Sequence, residues 1–507
     1  MLSAPSAKRV RWDDSVPSDV PQAIETSDST DVLASAGIRS CQANDAIRLS
    51  SAVARTADPV GKVGENGEGN KEERRHEKGF RPDFTHQLFE EERIEGFEDG
   101  ELAIRVLYTP TSLDFLVKIE TGDTGNASAD DVVLCLAKAL PPEHYTTDEP
   151  SFYQQLEKRN KGFKPPGARV HEYRRGQKTF SVYRATGEDP GACEYHGRAQ
   201  CLAPWFIEAA DDIDLTDDRW EVFYLFEDEE GPPKREVLGE KWRPAALAGY
   251  FTVFGFRNPV KGVSLRICQA LVLPQFQRQG HGQALLGFLY GLARSRESVF
   301  EITVEDPAPG FEKVRNLVDA RTLWELNVFP ADVLAAGEYR RPSKDVVQAA
   351  RDASKLTVSQ VEIGFDILKA RDMPAEVGGI GEADAGSAAS AAITPSSRTT
   401  AEISSRISAP TGSASGENIA AAAVTAKAGA GLSPGGRASK EAEIVDDERK
   451  RYRLMVKRRL LKRHGEDLSA DAPTRKRQLE ELYRDVEADF LRSGAKLGKE
   501  RAKTEKA

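Results

Sequence analysis

The stretch from Leu271 to Pro307 constrains this chain more than any other. An apolar run, Leu271-Val272-Leu273-Pro274, leads into Gln277-Arg278-Gln279-Gly280-His281-Gly282. Leu285, Phe288, Leu289 and Leu292 come next at spacings of three and four, the period of a helix with one buried face. A second apolar run, Val299-Phe300-Glu301-Ile302-Thr303-Val304, ends in Glu305-Asp306-Pro307. The order is strand, Gly-rich turn, helix, strand, carboxylate pair. Gly280 and Gly282 lack Cβ, so backbone N–H groups there can approach a ligand closely. At a helix N-terminus those donors lie at the positive end of the dipole, which favours an anion such as a pyrophosphate. No Lys-Ser or Lys-Thr comes after the glycines, so this is not a P-loop, and the missing third glycine argues against a dinucleotide fingerprint.

A chain of 507 residues has room for two or three domains and a sizeable core. Its net charge of −10 argues against a surface that grips nucleic acid all over, and fits one that attracts a basic partner. Cys41, Cys135, Cys193, Cys201 and Cys268 are too scattered for a disulfide framework or a zinc site, so no metal is expected and the chain reads as intracellular. The start, Met1-Leu2-Ser3-Ala4-Pro5, has no apolar signal core, and no long apolar run suggests a membrane span.

Composition divides the chain. Residues 1–79 are poor in aromatic side chains and rich in Ser, Asp, Ala and Gly, the signature of a disordered tail. Lys8-Arg9-Val10-Arg11 there reads either as a nuclear import signal or as a common tail feature. Strands are expected at Leu102–Tyr108, Leu113–Ile119, Thr179–Tyr183, Glu221–Phe226 and Tyr250–Phe256. Helices are expected at Asp130–Ala139, Pro150–Lys158, Phe311–Leu326 and Val358–Ala370. Residues 374–440 are nearly all Ala, Gly, Ser, Thr and Pro, and read as a disordered insertion. Beyond them Leu479, Leu482, Tyr483, Val486 and Phe490 form an apolar helical stripe. The basic run Arg449-Lys450-Arg451-Tyr452-Arg453 and Lys457-Arg458-Arg459 reads either as paired charges or as a contact for import factors or nucleic acid. The mixture implies an α+β protein.

Gln277-x-x-Gly280-x-Gly282 after a strand resembles the acetyl-coenzyme A motif of the GNAT acetyltransferases. The longer strings Leu273–Gly282 and Ile302–Pro307 resemble one branch, the type B histone acetyltransferase catalytic subunits. Phe84-Thr85-His86-Gln87-Leu88-Phe89, Trp205-Phe206-Ile207-Glu208, Asp218-Arg219-Trp220 and Gly249-Tyr250-Phe251-Thr252-Val253 are similar to that family in the same order. The resemblance covers about residues 80–372, with a further stretch near 447–490. It implies a GNAT acetyltransferase fold with an amino-terminal mixed α/β substrate domain and a helical carboxy-terminal piece. The divisions expected are a tail at 1–79, a substrate domain at 80–228, a GNAT core at 229–330, a helical region at 331–373, the insertion at 374–440 and a basic helical region at 441–507.

The implied chemistry is acetyl transfer from acetyl-CoA to lysine on a free core histone, with the tail of histone four as the leading substrate. Lysine is almost wholly protonated at neutral pH, so a base must take its proton before it attacks a thioester. Glu305 is expected in that role, with Asp306 and Glu208 in support; Pro307 is expected to hold Asp306 extended. The resemblance places backbone contacts to the pantetheine arm at Ala270, Leu271 and Val272, one of which would donate to the oxyanion. It wraps the pyrophosphate in Gln277, Arg278, Gln279, Gly280, His281, Gly282 and Gln283, and puts an apolar contact at Leu317. Arg278 departs from the family, which often has glycine there. His281 is expected to contribute its backbone, and Cys268 to be core, so that transfer is direct.

Substrate contacts implied by the resemblance are Glu91, Glu92, Arg93, Phe254, Gly255 and Phe256, beside an acidic loop containing Asp211, Asp212, Asp214, Asp217 and Asp218. A WD-repeat β-propeller histone chaperone is the expected partner, nucleic acid is expected only through the basic carboxy-terminal run, and no membrane contact is expected. Localisation in nucleus and cytoplasm is implied. The alternative is a non-catalytic histone-binding or chaperone subunit that keeps the acetyltransferase fold.

Overall fold

A computed structural model describes residues 39–52, 79–122, 127–228, 244–335, 337, 339–371 and 434–504. The chain divides into two compact units: one takes in Met1–Phe288 and Thr303–Asp306, the other Leu289–Ile302 and Pro307–Ala507. Lys8–Arg11 and nearly all of the expected insertion at 374–440 lie outside the described residues, which resume with a helix at Pro434.

The strands are β1 (Ser40–Gln42), β2 (Ile47–Ser51), β3 (Arg93–Glu95), β4 (Leu102–Tyr108), β5 (Phe115–Thr121), β6 (Tyr145–Thr146), β7 (Ala168–Arg175), β8 (Lys178–Ala185), β9 (Trp220–Asp228), β10 (Pro244–Asn258), β11 (Gly262–Val272) and β12 (Val299–Val304). The longer helices are α1 (Ala127–Ala139), α2 (Glu149–Gly162), α3 (Ala192–Ala199), α4 (His281–Ser295), α5 (Pro309–Glu325), α6 (Lys344–Ser354), α7 (Val358–Arg371), α8 (Pro434–His464) and α9 (Ala472–Thr504). Every strand and helix expected from periodicity is present, with ends shifted by a few residues.

In the first unit a four-stranded sheet runs β2-β4-β5-β6, with β2 parallel to β4 and β4 antiparallel to β5. Alternation along β4 buries Leu102, Ile104, Val106 and Tyr108. Under it Ala52, Leu116, Phe152 and Leu156 share a small core with the face of α2. Residues 40–51, expected in the tail, are folded: Ile47 and Leu49 are buried and pair with β4, while Arg93 donates to Ser40 Oγ at 2.8 Å. Two short alternating strands carry too little apolar signal to stand out from a Ser/Ala-rich background.

The second sheet has six strands in the order β12-β11-β10-β9-β8-β7. In it β9 and β10, which lie on either side of the expected boundary at 228/229, pair antiparallel from Phe254↔Trp220 to Pro244↔Asp228. β7 was not expected at all. Its residues are almost all exposed, so this edge strand has no buried face to print a period on the sequence.

In the second unit α7 is almost wholly buried and packs against α5 and α9. Glycine lets the helices close in: a Cβ on Gly364 would lie 2.4 Å from Leu323, and one on Gly494 would lie 2.6 Å from the Arg371 nitrogen. Asp366, fully buried on α7, receives Arg341 at 2.9 Å and Arg459 at 2.7 Å, and Tyr452 donates to its carbonyl. Much of the basic run is paired in this way. Arg453 and Lys457 both reach Glu480, Lys450 reaches Asp446, and Arg451 reaches Asp447. Asp366→Ala leaves Arg459 buried without its counter-charge, and is expected to cost about 3–5 kcal/mol of stability. Chemical denaturation followed by helical circular dichroism measures this; a loss below ~1 kcal/mol contradicts the assignment.

Candidate active site

Strand β11 changes partners partway along. Against β10 its register runs from Gly249↔Val272 to Thr252↔Gln269 and resumes at Val253↔Ile267, so Cys268 is an extra residue in a β-bulge. Before the bulge, Ile267 O faces β12 and accepts Glu305 N–H at 2.9 Å. After it, Gln269 N–H donates to Thr252 Oγ1 at 3.0 Å and Leu273 N–H to Ala248 O at 2.9 Å, both on the β10 side. Alternation then turns Leu271 N–H toward β10 as well, and sends those of Ala270 and Val272 to the opposite edge. β12 ends at Val304, so the stretch 268–272 has no strand along that edge. Of the three residues expected to contact the pantetheine arm, Ala270 and Val272 thus have their N–H groups toward that edge and Leu271 toward β10.

The turn at the end of β11 is braced by its own side chains. Gln277 Nε2 donates to Val272 O at 3.0 Å, and Gln279 Nε2 to Gln275 O at 2.9 Å. Arg278 has φ +61° and Gly280 φ +84°. The left-handed conformation at 278 is one that glycine adopts freely, and arginine there carries backbone strain. The first α4 bond runs from Ala284 N–H to Gly280 O at 3.1 Å, so the amides of His281 and Gly282 project ahead of it. Arg175, from the unexpected strand β7, lies over the turn with Nη2 3.4 Å from Gly280 O.

His281 is a core residue. It is 1% exposed, Nδ1 lies 2.8 Å from Tyr173 OH, and its ring packs 4.3 Å from that of Phe180. Burial and then the Arg175 charge hold its pKa down to about 4, so the imidazole is neutral at physiological pH and its contribution to the turn is backbone.

Glu305 and Asp306 are exposed at the end of β12. Arg266 Nη1 lies 3.4 Å from Glu305 Oε1. The Cys268 thiol donates to Arg266 O at 3.6 Å; burial first, then the neighbouring Glu305 carboxylate, push the thiol up to about 12. Cys268 is therefore a protonated donor, not a nucleophile. Asp306 departs from expectation: its φ is +27°, not extended, because the chain turns sharply out of β12 before Pro307. Glu208 is exposed on a loop pinned at two points, where Gln87 Nε2 donates to Ala210 O at 3.0 Å and Gln269 Nε2 to Asp211 O at 2.7 Å. Leu317 is buried within the second unit, on α5.

The expected substrate residues separate into two groups. Glu91 is exposed, with φ +51°. Glu92 turns inward to accept Thr85 N–H at 3.1 Å, and Arg93 is spent on Ser40, so neither side chain is presented as expected. Phe254 and Phe256 meet edge to face with ring centroids 4.7 Å apart beside Trp220, with Arg219 over Phe254 and Arg266 over Phe256. In the acidic loop, Asp217 is held down to about 2 by hydrogen bonds from Arg219, and Asp218 pairs with Arg257, whereas Asp211 and Asp212 stay exposed. Periodicity and motifs gave no sign of Arg175, Arg266 or Gln269, since each acts through a neighbour distant along the chain.

Two strands that part, a glycine-containing turn leading into a helix, and an α+β frame with a helical carboxy-terminal piece fit the GNAT fold. The family described as "Histone acetyl transferase HAT1 N-terminus" matches residues 39–208. A histone acetyltransferase type B catalytic subunit of Mycosarcoma maydis is 31% identical over 314 residues, covering 55% of this chain and 68% of that one. The subunit of that name in Homo sapiens is 31% identical over 302 residues, 57% of this chain and 68% of that one. One from Dictyostelium discoideum is 30% identical over 300 residues, and the chain spans 61% of its length. The chain belongs to the type B histone acetyltransferase catalytic subunit family.

Buried His281, together with His196, which burial also lowers to about 4, binds a proton only when the chain unfolds. Between pH 6.5 and 4 the unfolded state thus holds more protons, so stability is full above this window and falls with acidification, by up to about 1.4 kcal/mol per pH unit for each histidine. Urea unfolding at about pH 7 and about pH 5 should show a smaller acid loss in His281→Gln than in wild type. Equal losses would remove His281 from this account.

Proposed function

We propose that this protein transfers acetyl from acetyl-CoA to a lysine on the tail of a free core histone, with histone four as the leading substrate. The observation that carries the reading is Glu305 at the end of β12, hydrogen-bonded through its backbone to β11 where the two strands part. In this reading the thioester arm lies along residues 270–272, and Ala270 or Val272 N–H donates to the oxyanion. The pyrophosphate rests on the amides around Gly280–Gly282, with Gln277, Gln279 and Gln283 around it and Arg278 at its rim. Leu317 is kept as an apolar cofactor contact on the strength of the resemblance alone.

The substrate lysine arrives as an ammonium ion, and Glu305 takes its proton directly or through one water. The freed lone pair forms the N–C bond, the C–S bond breaks, and the coenzyme leaves as a thiolate that is reprotonated. Asp306 and Glu208 support the charge of the incoming cation. Asp211 and Asp212, with Glu91 and Phe254-Gly255-Phe256, suit a tail rich in Lys, Arg and Gly. A WD-repeat β-propeller histone chaperone is the proposed partner, and nucleus and cytoplasm are the proposed locations.

Mass spectrometry of a core-histone mixture incubated with the purified protein and acetyl-CoA tests this reading. Acetyl-lysine on a histone tail is expected, and its absence would favour a histone-binding subunit without activity. Glu305→Gln should still bind acetyl-CoA and lower kcat by about 10²–10⁴-fold. A variant that turns over at the wild-type rate would remove Glu305 as the base.

A further inference from the structure

We infer that Arg266 is a positioning residue for this reaction, one that orients the Glu305 carboxylate while the lysine approaches. The inference rests on the assignment of Glu305 as base. Two neighbouring residues of β11 hold Glu305. Ile267 O accepts its N–H at 2.9 Å, and Arg266 Nη1 lies 3.4 Å from its carboxylate. Arg266 is itself held in place, since its guanidinium lies 4.4 Å over the ring of Phe256. A planar cation stacked on an aromatic face loses little further freedom when it meets a carboxylate.

The pair is an expensive choice if stability were its purpose. Arg266 and Glu305 are 40% and 46% exposed, and an ion pair so open to water adds little to folding. Its effect on geometry is larger, because a fixed planar cation sets the direction in which the carboxylate points. The groups facing Arg266 are Glu305 and the apolar ring of Phe256. Phe256 also belongs to the proposed substrate surface, so one guanidinium touches both the base and the surface that delivers the lysine.

Steady-state kinetics of the full chain with acetyl-CoA and core histones test this. Arg266→Ala should lower kcat by about three- to tenfold and leave the KM for acetyl-CoA within about twofold. Arg266→Lys should restore only part of kcat, because the charge returns but the planar stacking does not. The thermal midpoint of Arg266→Ala should stay close to wild type, which separates loss of positioning from loss of fold. A wild-type kcat in Arg266→Ala overturns the proposal even when Glu305→Gln is slow. If Glu305→Gln keeps its rate while Arg266→Ala loses it, the base assignment falls and this inference falls with it.

Discussion

A strand inside a sheet normally spends the backbone donors of both edges on its neighbours, and β11 does not. The bulge at Cys268 reverses which residues face which neighbour, so Ile267 still serves β12 while Gln269 and Leu273 serve β10. Past that point β12 has ended, and the donors that alternation sends to its side belong to Ala270 and Val272. A single extra residue thus opens a row of amides without breaking the sheet. The same bulge carries a thiol that neighbours the Glu305 carboxylate, and the link from Glu305 N–H to Ile267 O fixes that carboxylate at the mouth of the opening.

The turn and helix after β11 are built to keep the opening's geometry. Two glutamine side chains tie back onto carbonyls of the preceding segment, so the strained residue Arg278 has a fixed frame. The helix that begins at His281 is seated by a neutral buried imidazole on Tyr173 and Phe180. A charged imidazole at that place would have to be desolvated beside Arg175, which accounts for its depressed pKa. The Glu208 loop is tied to the same strand by Gln269, whose backbone serves the sheet while its amide serves the loop.

The parts of this arrangement that were legible in the sequence are those whose signal is local. The Gln277–Gly282 turn, the apolar stripe of α4 and the Glu305 strand end each occupy a short stretch with its own period. The parts that were not legible depend on register or on partners far along the chain. Nothing in Cys268 itself marks a bulge; that is set by the pairing of β10 with β11. β7 has no buried face, yet it brings Arg175 to the turn. Arg93 reads as a surface residue until β1 is placed beside it, and the basic carboxy-terminal run reads as free charge until Asp366 and Glu480 are seen to take it up.

Charge along β11 has a direction that the overall balance hides. The chain is acidic, with a net charge of −10, and an acidic protein should repel a carrier with several phosphates. At the turn end, however, stand Arg175 and Arg278 with the amides that precede α4. Beside the middle of the strand stand Glu305 and Asp306, and the loop that Gln269 ties to it carries Glu208, Asp211 and Asp212. On the proposed reading the anionic donor meets positive charge at the turn and the cationic acceptor meets negative charge at mid-strand, and the two come together where the sheet parts. Arg266 stands against this division, a cation among carboxylates, and that is why a role in holding one of them in place fits it better than a role in drawing in the substrate.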